Sequence, residues 1–120
     1  MQFFIHGGLT AEVGVAMQRQ GHRIHDASEF TVEEPMPQSP AEFLAELTRR
    51  QWCLLTDDRD FIHGVYEQGL KYPLCMVLLL VGNDALAASV DRLFERYKRL
   101  SPRRLYTVTA GRVKVRQLPG

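Results

Sequence analysis

The sequence predicts an α/β domain: three layers, α/β/α, around a mainly parallel central sheet, with a C-terminal β-hairpin. Three observations carry that expectation. Apolar runs of strand length alternate with helical stretches four times. The run LCMVLLLV at 74–81 is unbroken, as in a central strand covered on both faces. Finally, RLYTVTAGRVKVRQL at 104–118 alternates with period two about Ala110-Gly111, the pattern of a hairpin. Parallel strands joined through helices imply right-handed crossovers.

Each element has its own signal. QFFIH (2–6) reads as a short buried strand, and Leu9, Val13, Ala16 and Met17 then recur at helical spacing. That helix stops at Gly21, a residue suited to the left-handed turn after a helix. HRIHD (22–26) is the second strand, and TVEEPMPQSP (31–40), with three prolines, is a loop within the domain. Ser39, Pro40 and Glu42 form a capping box that starts the second helix, whose apolar face is Phe43, Leu44 and Leu47. WCLLT (52–56) is the third strand, followed by a short helix through about Gln68. PLCMVLLLV (73–81) is the fourth strand. The last helix, from about Asp84 to Arg99, carries a stripe of Leu86, Val90, Leu93, Phe94 and Tyr97.

At 120 residues the chain reads as a single domain, 1–120, without internal repeats or low-complexity tracts. Hydrophobic residues make up 45% and charged residues 24%, an ordinary globular composition. Cys53 and Cys75 both sit in apolar runs and read as buried thiols in a reduced compartment; no Cys/His spacing points to structural zinc. The opening MQFFIHGG shows no secretion signal, and the longest apolar run is too short for a bilayer. A cytoplasmic protein, without a membrane partner, is therefore expected. Charge is unevenly placed: residues 92–120 carry nine Lys/Arg against one Glu, a balance of +8, while residues 1–91 carry −7. Such asymmetry fits either a nucleic-acid-facing surface or the charged outside of a final helix and hairpin.

In sheets of this kind ligands bind beyond the carboxyl ends of the strands. Those ends are His6-Gly7-Gly8, Asp26, Thr56-Asp57-Asp58-Arg59-Asp60 and Val81-Gly82-Asn83-Asp84. If residues 56–60 are extended, Asp58 and Asp60 point to one side, about 7 Å apart, and Asp57 faces away. Paired carboxylates suit Mg²⁺ or Mn²⁺ with waters and a substrate phosphate. The alternative is one Asp as helix N-cap with the others in the first turn, each gaining roughly 0.3–1 kcal/mol from the helix dipole.

FFIHGGL (3–9), QGHRI (20–24), LLTDDRDF (54–61) and GRVKVRQLP (111–119) resemble, in order, the motifs of a small bacterial PIN-like family often encoded in toxin–antitoxin-type pairs. PIN domains are divalent-metal-dependent ribonucleases, so the resemblance implies an acidic pocket for Mg²⁺ or Mn²⁺ that activates water against a phosphodiester. Thr56, Asp58 and Asp60 stand at the T-x-D-x-D positions and inherit the catalytic roles, Asp58 and Asp60 as metal ligands. The first-strand aspartate of the family is His6 here, the Glu and Asn after it are Gly7 and Gly8, and an acid opening the second helix is Pro40. His6 and Glu42 are the candidate replacement ligands. Other readings are a strand-end histidine without a role and a capping-box glutamate.

Two functions follow. One is a toxin-type endoribonuclease whose Arg103, Arg104, Arg112, Lys114 and Arg116 hold RNA backbone; because alternate positions of a strand face opposite sides, all five are not expected to act together. The other is a catalytically inactive PIN-like scaffold that binds protein or RNA. The implied partners are RNA, an antitoxin-like chain and a second copy in a homodimer. A phosphoryl-receiver reading fails because HGG cannot supply an acid pair after the first strand.

Overall fold

In the computed structural model residues 1–9 and 11–120 are described. Six strands form one sheet: β1 (Gln2–His6), β2 (Arg23–His25), β3 (Cys53–Thr56), β4 (Met76–Leu79), β5 (Arg104–Thr109) and β6 (Arg112–Gln117). Four helices connect them: α1 (Ala11–Arg19), α2 (Pro40–Arg50), α3 (Arg59–Gln68) and α4 (Leu86–Arg96). The spatial order is β2-β1-β3-β4-β5-β6. The first five strands are parallel to their neighbours, and only β5–β6 is antiparallel, around the two-residue turn Ala110-Gly111. The mixed, mostly parallel α/β sheet and the terminal hairpin expected from the alternation are both present.

Period-two alternation divides the core between two hydrophobic clusters. Phe3, Cys53, Leu55, Val77, Leu79, Tyr106 and Val108 pack with the apolar stripes of α1 and α4. Their chain neighbours Phe4, Leu54, Met76, Leu78 and Leu105 pack with Phe43, Leu44 and Leu47 of α2 and Phe61, Ile62 and Val65 of α3. Both faces of β3 and β4 are therefore used, which is why CLLT and MVLL are buried at every position. Each such side chain is worth roughly 1.5–3 kcal/mol when fully buried. Cys53 and Cys75 are buried and free.

Helix ends follow local chemistry. Ser39 caps α2 by accepting the Glu42 N–H at 3.1 Å, with Pro40 in the first turn. That is one half of the expected capping box. α4 is shorter than the periodicity suggested: Asn83–Ala85 form a 3₁₀ turn before it, and Tyr97 already has φ −123°. No side-chain cap holds its start. Among the described residues no helix is long and apolar enough to cross a membrane.

The topology has one consequence for function. The chain steps from β1 to β2 on one side, then returns to place β3 on the other side of β1. This reversal leaves a crevice at the carboxyl ends of β1 and β3, the switch point at which doubly wound sheets of order 2-1-3-4-5 take their ligands.

Candidate functional site: the switch-point crevice and the hairpin groove

The β1 and β3 ends meet in register, with His6 opposite Thr56. After β1 the chain turns through Gly7 at φ 93°, a conformation open to glycine. A Cβ on Gly7 would overlap Asp57 Oδ1, so the glycine is required by close approach as well as by its dihedral. Gly8 then donates its N–H to the Asp57 carboxylate, at 3.2 Å to Oδ2 and 3.4 Å to Oδ1. Thr56, fully buried, accepts the Asp58 N–H at 3.0 Å and lies 3.2 Å from His6 Nδ1. Thr56 Oγ1 thus joins the end of β1 to the start of the acidic motif.

His6 is half-buried, its ring against Phe61 (centroids 4.7 Å, edge-on) and Phe43 (5.4 Å). Burial lowers its pKa from the usual histidine value; the nearby charges of Asp58 and then Asp57 pull the other way without cancelling it. The ring is thus a neutral imidazole wedged between two aromatics, and it closes the crevice floor.

The acidic motif does not run extended. β3 ends at Thr56, and α3 begins at Arg59 with Asp58 as its N-cap, Oδ1 accepting the Asp60 N–H at 2.9 Å. Asp60 lies exposed in the first turn, so the two carboxylates do not stand side by side along a strand. The helix-cap alternative describes Asp58 and Asp60, and the period-two reasoning that turned Asp57 away fails with its premise. Asp57 is the acid that bridges to the Gly7-Gly8 turn, a residue the sequence reasoning passed over. Its signal was the pair of glycines, which permit a carboxylate to sit against backbone. Glu42 is exposed at the start of α2. Among the described residues no three His, Cys, Asp or Glu side chains stand where they could hold a metal ion together. Asp57 and Asp58 each accept a backbone N–H here.

The five basic residues do not share one face. Arg112, Lys114 and Arg116 pair with Thr109, Thr107 and Leu105. They occupy every second position of β6 and therefore share one face, the face on which Leu105 packs toward α3. Beside them lies a groove of about 430 Å³ between α3 and the hairpin, lined by Arg59, His63, Tyr66, Thr107, Lys114 and Arg116 among others. The Arg116 guanidinium lies 4.4 Å from the Tyr66 ring centroid, and the Tyr66 hydroxyl donates to Gln117 O at 2.7 Å. Arg104 has the opposite parity and so faces the other side of the sheet. Arg103 stands before β5, at the far end of the sheet from the crevice, and donates to Gly120 O at 2.6 Å. Five candidates thus resolve into three aligned cations and two that point elsewhere.

The other histidines have separate settings. His22 packs against Phe94 (4.4 Å) and Phe3 (5.2 Å), with burial lowering its pKa. His25 stacks on Trp52 at 3.8 Å, between Glu29 and Gln2. In comparisons with known proteins no family model matches the chain, and no curated protein or solved structure shows a significant match.

Proposed function

We propose that the chain is a three-layer PIN-like domain that binds single-stranded RNA by its backbone, in the groove between α3 and the hairpin, as a cytoplasmic RNA-binding module. The observation that carries this reading is the alignment of Arg112, Lys114 and Arg116 on one face of β6, with Arg59 on the facing helix. Successive cations two residues apart on a strand lie about 7 Å from one another, close to the spacing of phosphates along a single strand. Tyr66 and His63 supply rings beside those cations, the combination of charge and stacking surface that sequence-tolerant binding to single strands uses. The groove holds one acid, Glu67.

Metal-dependent cleavage, which the resemblance implies, is the competing reading. It has in its favour the position of Thr56, Asp58 and Asp60 at a switch-point crevice. Against it stand the committed hydrogen bonds of Asp57 and Asp58 and the neutral, aromatic-flanked His6.

A fluorescein-labelled ten-nucleotide RNA, followed by anisotropy and then by gel after incubation with Mn²⁺ or Mg²⁺, separates the two. Salt-sensitive binding with the RNA left intact is the expected result. Metal-dependent cleavage that disappears in Asp58→Asn/Asp60→Asn would replace the binding module with a ribonuclease. Absence of binding at low salt would remove both.

A further inference from the structure

A cavity lies at the opposite end of the sheet from the crevice. It encloses about 830 Å³, within the range of small-molecule sites. Its floor is the amino-terminal ends of the parallel strands, where Gln2 opens β1, Arg23 opens β2 and Cys53 opens β3. One wall is apolar: Pro73 and Leu74, with Leu74 49% exposed although it is a large aliphatic side chain. Facing it are two guanidinium groups, Arg23 and Arg103.

Two features distinguish this cavity from an accidental gap between strand ends. Among the described residues two that are not glycine have positive φ, Gln51 and Arg103, both at 62°, and both line it. Such conformations are uncommon outside glycine and persist where surrounding structure holds them. Gln51 is held as the C-cap of α2, its N–H reaching Leu47 O and Thr48 O. Arg103 is held by its N–H to Leu74 O at 2.7 Å and by the Leu118 N–H to its own carbonyl at 3.0 Å. The Arg103 side chain lines the cavity. Its guanidinium donates to the Gly120 oxygen and retains further N–H groups. Arg23 is exposed and forms no ion pair among the described residues.

We infer that this cavity is a binding site for a small organic anion, an apolar body carrying a carboxylate or phosphate head. The Arg23 guanidinium, exposed and without an ion pair among the described residues, matches either head group, because both present paired oxygens. The Pro73–Leu74 wall takes the apolar body, and the 830 Å³ volume admits a chain of moderate length. The site is separate from the RNA-binding groove, with which it shares no lining residue.

The test is an amide chemical-shift titration of the whole chain with octanoate, with octyl phosphate and with octanol as the uncharged control. Either anion should shift the amides of Gln2, Gln51, Cys53 and Leu74, and octanol should bind roughly tenfold more weakly or not at all. Octanoate alone would identify a carboxylate site, and octyl phosphate alone a phosphate site. Arg23→Glu reverses an exposed charge and Leu74→Trp fills the cavity mouth; each should weaken the anion at least about tenfold. Equal binding of octanol, wild-type affinity in both variants, or no shift at the cavity amides at millimolar ligand would overturn the inference.

Discussion

The crevice between β1 and β3 and the groove between α3 and the hairpin lie on the same small domain, yet their polar groups are used in opposite ways. In the crevice polar groups bond one another: Gly8 N–H to Asp57, Asp58 N–H to Thr56, Asp60 N–H to Asp58, and His6 with Thr56. In the groove Lys114 and Arg112 are exposed without protein partners among the described residues, and Arg116 is tied only to a tyrosine ring. Groups that satisfy each other hold a turn in place. Groups left unsatisfied, of one sign and in a row, are available to a ligand. The difference assigns structure to the crevice and recognition to the groove, and substitutions should divide along the same line.

The largest stability effect belongs to the crevice. Gly7→Ala should cost about 3 kcal/mol by chemical denaturation, since a Cβ at φ 93° both strains the backbone and displaces Asp57. RNA affinity of the folded fraction should be unchanged. Thr56→Val preserves shape but removes an oxygen that serves two partners in a fully buried position; a loss of about 2 kcal/mol is expected. Should either change leave stability untouched while abolishing RNA binding, the division between the two regions would be broken.

The groove should behave inversely. Lys114→Ala/Arg116→Ala should change stability by less than about 0.5 kcal/mol, as exposed positions do. RNA affinity should fall roughly tenfold or more. The slope of log K against log salt should flatten by about 1.4, two single-strand phosphate contacts at roughly 0.7 each. Smaller again is Asp58→Ala, about 1 kcal/mol for a lost N-cap, with Asp58→Asn close to wild type because asparagine caps equally well. That pair of variants sharpens the comparison, since a metal ligand would not tolerate Asn in the same way.

The smallest effect is on pH. Burial lowers the pKa of His6 and of His22, so the folded state resists protons that the unfolded state binds near 6.5. Their contribution is fully present above pH 6.5 and is lost as pH falls from there through the lowered folded values. His6→Gln should flatten part of that fall in a series of denaturation curves, and the remainder should follow His22.

Much of the fold was legible because it rests on patterns with a single physical cause. The unbroken Met76–Leu79 run suits a strand covered on both faces, and Ser39-Pro40 with Glu42 suits a helix start. The hairpin at Ala110-Gly111 was readable for the same reason. The site was less so. LLTDDRDF is compatible with an extended chain or a helix start, and the choice depends on where β3 stops, which packing sets. The approach of Asp57 to Gly8 needs β1 and β3 to be neighbours, a fact of strand order that alternation does not specify. By contrast, the common face of Arg112, Lys114 and Arg116 was present in the numbering, and Arg104 falls on the opposite face.

The central claim, recognition by the groove and structure in the crevice, is tested most directly by salt titration of RNA anisotropy on three proteins. These are wild type, Lys114→Ala/Arg116→Ala, and Asp58→Asn/Asp60→Asn. The account predicts that the groove variant loses affinity and salt dependence together while the acid variant binds as wild type. If the acid variant loses binding and the groove variant keeps it, the assignment is reversed and the crevice is the site.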